Sequence, residues 1–98
     1  MSIPQLFWLS PGERENAFTL VAPEILIGRR ADSDVVLLNE HVSRHHAKLM
    51  RTSEGYVLVD LGSTNGTFVN DNRIRTQLLK HGDKVSVGDV DLHYFANR

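Results

Sequence analysis

The chain has 98 residues, 41% of them hydrophobic and 23% charged, and its eleven Lys and Arg against twelve Asp and Glu leave a formal net charge of −1. That is the size of one ordinary domain, expected to span residues 1–98, and a chain this short buries only about 60–70% of its unfolded surface, which favours a small binding module over an elaborate active site. The even charge balance excludes the global basic field of a nonspecific nucleic-acid binder, and the absence of cysteine excludes disulfides, iron–sulfur clusters and thiolate zinc sites.

No stretch approaches the roughly 20 apolar residues of a membrane span. Met1-Ser2-Ile3-Pro4 lacks a basic signal-peptide region, and Leu6-Phe7-Trp8-Leu9 is too short for its apolar core. A cytoplasmic protein without membrane or nucleic-acid partners is the expectation.

In chain order, the first strand candidate is Gln5 to Ser10, closed by the turn signal Ser10-Pro11-Gly12. Phe18 to Ala22 is a second, Glu24-Ile25-Leu26-Ile27 a third and Asp34-Val35-Val36-Leu37-Leu38 a fourth. Val42 to Arg51 is ambiguous, because Lys48-Leu49-Met50-Arg51 are fair helix formers. Ala47 and Leu49 alternate with His46, Lys48 and Met50, however, and the all-β context favours a strand. Tyr56-Val57-Leu58-Val59-Asp60-Leu61 is rich in β-branched residues and too short for a helix. Val85 and Val87 alternate with Lys84, Ser86 and Gly88, and Val90, Leu92 and Tyr94 alternate with Asp91 and His93. Short strands separated by regular turn signals predict an all-β sandwich or barrel with no repeat, linker or low-complexity segment.

In such a fold, functional side chains belong in the loops at one end. Three clusters stand out: Ile27-Gly28-Arg29-Arg30, Val42-Ser43-Arg44-His45-His46-Ala47, and Asp60-Leu61-Gly62-Ser63-Thr64-Asn65-Gly66-Thr67-Phe68-Val69-Asn70. Each alone has an ordinary reading. Gly28 can end a strand with its arginines solvated, Ser43, His45 and His46 can be loop and core-edge residues, and Asn65-Gly66 is a type I′ hairpin signal. The order and spacing say more. Gly-Arg is followed by Ser-x-x-His fourteen residues after Arg29, then by Gly-Ser-Thr-Asn-Gly-Thr, then by Leu79-Lys80-His81-Gly82-Asp83-Lys84-Val85-Ser86-Val87-Gly88. From about Ile25 to Gly88 the chain resembles the forkhead-associated (FHA) domain family.

The resemblance implies a β-sandwich of about eleven mostly antiparallel strands whose loops at one end bind phosphothreonine peptides. It places Arg29, Ser43, Arg44 and Thr64 on the phosphate and Asn65 on the ligand's main chain. His46 and Gly66 would structure the loops, His46 as a brace between Ser43 and the Ser63–Thr64 turn, and Gly28 would let the backbone turn sharply before Arg29. His45 would face solvent, and Arg30 would add attraction or meet Asp32 and Asp34. The chemistry suits these residue types. A phosphothreonine carries about −1.5 to −2 charge and three strong acceptors. A guanidinium answers with paired donors, a serine with a short hydroxyl, and an asparagine amide with one donor and one acceptor group. His41, Asn39, Glu40 and Asp89 are candidate readers of the ligand sequence. One departure from the family pattern is Asp71-Asn72, where many members have glycine after the asparagine. The implied partner is a threonine-phosphorylated protein or peptide, a Ser/Thr kinase or its substrate among the candidates, and no cofactor or metal is implied.

Three other readings remain. A hydrolase triad could be drawn from Ser43, a histidine and Asp60, but Gly62-Ser63-Thr64-Asn65-Gly66 is not the G-x-S-x-G elbow. A metal site could be drawn from His41, His45 and His46, but consecutive histidines diverge on a strand and no carboxylate lies at useful spacing. The third is an FHA scaffold that assembles partners independently of phosphate through a sheet face, for which an exposed patch including Trp8, Tyr94 and Phe95 would be the sign.

Overall fold

The computed structural model describes residues 3–96, and among these it contains strands and turns but no helix. In chain order the strands are β1 (Gln5–Ser10), β2 (Arg14–Thr19), β3 (Glu24–Gly28), β4 (Val35–Val36), β5 (Ala47–Thr52) and β6 (Gly55–Asp60). They continue with β7 (Thr67–Val69), β8 (Asn72–Ile74), β9 (Thr76–Leu78), β10 (Lys84–Val87) and β11 (Val90–Phe95). These eleven strands form a six-stranded sheet of order β2-β1-β11-β10-β7-β8 and a five-stranded sheet of order β4-β3-β5-β6-β9. Pairing is antiparallel except between β3 and the two-residue β4.

The core follows from the period-two alternation of side chains along a strand. Ile25, Ile27, Leu49 and Leu58 are buried in one sheet, and Leu6, Val85, Val87, Leu92 and Tyr94 in the other. The register aligns them: Ile25 lies opposite Leu49, which lies opposite Leu58. Truncating such a leucine to alanine costs about 2–5 kcal/mol.

The register also fixes where the loops gather. Ile27 pairs with Ala47, Ala47 with Asp60, and Val87 with Thr67, so β3, β6 and β10 end where β5 and β7 begin. The segments 29–34, 37–46, 61–66 and 88–89 therefore share one end of the sandwich, joined by the β1–β2 hairpin tip.

Several elements differ from the sequence-based expectation. Val42–His46 is loop, and the strand begins at Ala47. The second strand runs over Arg14–Thr19 rather than Phe18–Ala22, because a tight hairpin pairs Ser10 with Arg14 and Trp8 with Asn16. Of Asp34–Leu38 only Val35–Val36 is strand. β7, β8 and β9 are three residues each, too short to leave a periodic signal. The apolar patch that the scaffold reading calls for is divided. Tyr94 is buried on the inner face and Trp8 packs against the core, whereas Phe95 packs edge-on against Phe7 with 5.2 Å between ring centroids.

Candidate functional site

Three loops are stitched together by backbone hydrogen bonds before any side chain is considered. Arg29 N–H donates to Ser43 O at 3.1 Å, Arg30 N–H to Arg44 O at 3.1 Å, His46 N–H to Ile27 O at 2.9 Å, and Leu61 N–H to His46 O at 3.0 Å. Gly28 serves this close approach. Its backbone is not in the left-handed region, so a sharp turn is not what demands glycine; a Cβ there would sit 2.1 Å from the Arg44 carbonyl oxygen.

His46 lies at the centre of the stitch, fully buried. A backbone N–H can only donate, so the 3.0 Å contact from Ser43 N–H makes Nδ1 the acceptor. Nε2 then carries the proton and donates to Gly66 O at 2.8 Å. The histidine thus ties the Ser43 loop to Gly66, two residues beyond the expected Ser63–Thr64 turn. Ser43 closes a second link: its Oγ accepts from Thr64 N–H at 3.2 Å. Gly66 has φ +90°, and a Cβ on it would lie 2.9 Å from Arg73 Nε and 3.3 Å from the Phe68 ring. The conformation demands glycine there, and the Phe68 ring leaves little room for a side chain. Asn65 has no positive φ, so Asn65-Gly66 is not the type I′ turn its sequence suggests. Asn70 (49°) and Asp71 (71°), the two-residue turn between β7 and β8, have positive φ at both positions, as do Gly12 and Glu13 in the β1–β2 hairpin.

Asp60 holds the third loop from below. Its Oδ1 accepts from the Ser63 hydroxyl and, at 2.7 Å, from Thr67 Oγ1; its Oδ2 accepts from Gly62 N–H at 3.1 Å and Ser63 N–H at 3.2 Å. Partial burial works against the charge, but the Ser63 and Thr67 hydroxyls and the two N–H groups outweigh it and hold the carboxyl below the usual aspartate range. Ser63 Oγ in turn accepts from Gly66 N–H at 3.0 Å. Sequence reasoning weighed Asp60 only as a triad member and gave Ser63 and Thr67 no role beyond the motif. The contact from Asp60 to Gly62 N–H is an Asx turn, for which Asp-x-Gly was the available signal.

On this frame stand the exposed groups. Arg29 is exposed and donates its Nε–H to Val42 O at 3.0 Å, beside Ser43. Arg44, Thr64 and Asn65 are exposed, and Asn65 Nδ2 donates to His41 O at 2.9 Å. His41 and Asp89, from different loops, form an ion pair through Nδ1 and Oδ2, and Asn39 Nδ2 donates to the same carboxylate oxygen at 3.3 Å. The hydrogen bond and charge of Asp89 raise the affinity of His41 for its proton, and the bonds from His41 and Asn39 hold Asp89 low. On the opposite flank Asp32 accepts from His45 Nε2 at 3.0 Å and lies 3.7 Å from Arg30 Nε. His45 is thus paired as well as exposed, and Arg30 meets Asp32; Asp34 instead accepts from Leu26 N–H at 2.8 Å.

The triad is not assembled: His46 meets the backbone of Ser43 rather than its hydroxyl, and Asp60 binds Ser63 and Thr67. Among the described residues no three His, Asp or Glu side chains converge as metal ligands. The arrangement offers donors from three loops around one exposed point.

The family model described as the FHA domain matches residues 25–88, which include every loop of this stitch. The chain is a member of the FHA domain family. It shares 46% identity over 68 residues with the ABC transporter ATP-binding/permease protein Rv1747 of Mycobacterium tuberculosis, covering 69% of this chain and 8% of that protein. It shares 43% over 65 residues with the oxoglutarate dehydrogenase inhibitor of Corynebacterium jeikeium, covering 66% of this chain and 45% of that protein. The FHA domain thus spans less than half of either relative. Among solved structures, one from a study of phosphothreonine-dependent FHA domain interactions superposes with a TM-score of 0.88 at 27% identity, covering 99% of both chains. Mycobacterium tuberculosis EmbR in complex with a low-affinity phosphopeptide superposes with a TM-score of 0.80 at 34% identity, covering 93% of this chain and 24% of that one. FHA domains are interaction modules, and this chain shares their all-β sandwich fold. No helix among the described residues is long and apolar enough to cross a membrane.

Proposed function

We propose that this FHA domain, spanning the chain, binds phosphothreonine peptides and docks a threonine-phosphorylated partner, or a phosphorylated segment of the protein it belongs to, in cytoplasmic Ser/Thr kinase signalling. The observation that carries the reading is the direct linkage of Arg29, Ser43 and Thr64, contributed by three loops. Ser43 Oγ accepts from Thr64 N–H, which leaves its own proton free to donate outward. Among the described residues the Arg29 side chain engages only Val42 O, through Nε, which leaves both terminal nitrogens for paired bonds to phosphate oxygens. Arg44 adds charge from the same loop. Asn65 uses one amide proton on His41 O and keeps a donor and an acceptor for the ligand's main chain. The threonine γ-methyl would pack beside Thr64, favouring phosphothreonine over phosphoserine.

Hydrogen bonds to charged groups contribute about 1.5–3 kcal/mol each. Three or four, less the ordering of an extended peptide, leave about −8 kcal/mol, a Kd near micromolar that weakens with salt. Binding, not catalysis, is the role this site supports. The alternative, assembly through a sheet face independent of phosphate, is less supported because Tyr94 is buried in the core and Trp8 is only partly exposed. Titration with matched phosphothreonine, phosphoserine and unphosphorylated peptides tests the reading. Phosphothreonine should bind tightest and the bare peptide at least about 30-fold more weakly, the equivalent of ~2 kcal/mol; equal affinities would reject it.

A further inference from the structure

A groove of about 460 Å³ lies below the loop end of the six-stranded sheet, between the β1–β2 hairpin and the β10–β11 turn. Its apolar part includes Phe7, Trp8 and Leu9, and its polar part includes the carboxylates of Glu15 and Asp91, with Asp89, already paired to His41, at its edge. Leu9 is 56% exposed. Glu15 has no hydrogen-bond or ion-pair partner among the described residues, and Asp91 accepts only from the Ser86 hydroxyl at 2.8 Å.

The groove is continuous with the loop cluster. Asp89 belongs to both: it lines the groove and holds His41, whose carbonyl holds the Asn65 amide. A peptide leaving Asn65 across His41 therefore reaches Asp89 and the groove. The lining suits one kind of side chain, a lysine or arginine whose alkyl stem lies on the aromatic floor while its head meets the carboxylates.

We propose that the groove receives a basic segment of the phosphorylated ligand, so that the domain reads a phosphothreonine flanked on one side by Lys or Arg interspersed with apolar residues. The proposal rests on the phosphothreonine reading above, and the experiment separates the two.

Trp8 is the only tryptophan of the chain, so its emission reports on the groove directly. The probes are a neutral phosphothreonine peptide of Ala, Gly and Ser; the same peptide extended by Leu-Lys-Leu-Arg at either its N- or its C-terminus; extensions carrying Glu in place of Lys and Arg; and unphosphorylated versions of all. One basic extension should tighten binding about tenfold and shift Trp8 emission, while the acidic one does neither. The double variant Glu15→Lys/Asp91→Lys should bind the short phosphopeptide as before and lose the gain. The proposal is overturned if neither basic extension moves Trp8 emission, if the gain survives the charge reversal, or if the emission tracks protein concentration instead of peptide, the mark of a second copy in the groove. Failure of the short phosphopeptide to outbind its bare counterpart would instead reject the phosphothreonine reading. The groove is then judged on Trp8 emission with the bare basic peptides, where no shift overturns it.

Discussion

The two ends of the short strand β7 hold turns of opposite construction. Before it, the Leu61–Gly66 loop hangs from a half-buried carboxylate and a buried imidazole: Asp60 on Ser63 and Thr67, and His46 on Gly66. After it, the Asn70–Asp71 tip is a bare two-residue turn in left-handed backbone, fastened mainly by exposed contacts such as Asn70 Nδ2 to Asp83 and Lys84 Nζ to Asp71, each at 3.0 Å. The difference teaches where rigidity has been placed. Both turns need only reverse the chain, but one must also hold exposed donors at fixed separations, and ordering them in advance lowers the entropy lost on binding.

The largest effect should come from removing the side chains that hold the Leu61–Gly66 loop. Asp60→Ala strands two hydroxyls and two N–H groups and should cost about 2–3 kcal/mol, a fall in melting temperature of ~10–20 °C by calorimetry. His46→Ala leaves Ser43 N–H and Gly66 O unpaired in the interior and should lower stability by about 2 kcal/mol as well as weakening phosphopeptide binding. An unchanged melting temperature for either would erase the contrast between the two turns.

Next come the exposed donors. Arg29→Ala and Ser43→Ala should each weaken phosphopeptide binding by at least about 2 kcal/mol, ~30-fold in Kd by titration calorimetry. The melting temperature should stay within a few degrees. Arg29→Lys should recover part of the loss, since it keeps charge but not the paired donors.

Acid provides a subtler test. The folded state holds the Asp60 carboxyl below its ordinary value, so the folded chain binds fewer protons than the unfolded one near pH 4. The stabilisation is therefore complete above the unfolded pKa, about 3.9, and is lost as pH falls through the lower folded value. Asp60→Asn, starting from a lower stability, should show a shallower decline below pH 4 in denaturant titrations at stepped pH. An unaltered slope would show that the carboxylate is not held by its four donors.

The smallest effect belongs to the other turn. Asp71→Gly removes a left-handed non-glycine residue at the price of one exposed ion pair. It should be neutral to stabilising by about 0.5–1 kcal/mol, with peptide affinity unchanged. A loss of affinity would mean that the two turns are not independent.

The same contrast explains what could be read in advance. Val90–Tyr94 announces itself because one face is buried and alternation records it, and Tyr56–Asp60 because it is short and rich in β-branched and aromatic residues. The exposed polar residues of the loops were visible because their order along the chain is characteristic of the family. What stayed hidden was the frame beneath them. Nothing local to Asp60 shows that its carboxylate reaches Thr67, because that contact exists only once β6 and β7 flank a closed loop. The demand for glycine at position 28 comes from Arg44, sixteen residues away in sequence, and no turn rule contains it. Composition offers Asn65-Gly66 as a type I′ signal, whereas contacts from Ser63 and His46 set that backbone and Asn70-Asp71 makes such a turn. β7, β8 and β9 were missed because three residues are too few to show a period.

The most direct measurement is a crystal structure of the chain with a phosphothreonine peptide. The phosphate should lie within hydrogen-bond reach of the Arg29 guanidinium, the Ser43 hydroxyl and the Thr64 loop, with Asn65 on the peptide backbone and the His46 and Asp60 contacts unchanged. A phosphate seated away from these loops, or loops that rebuild themselves around it, would contradict a site prepared by its buried frame.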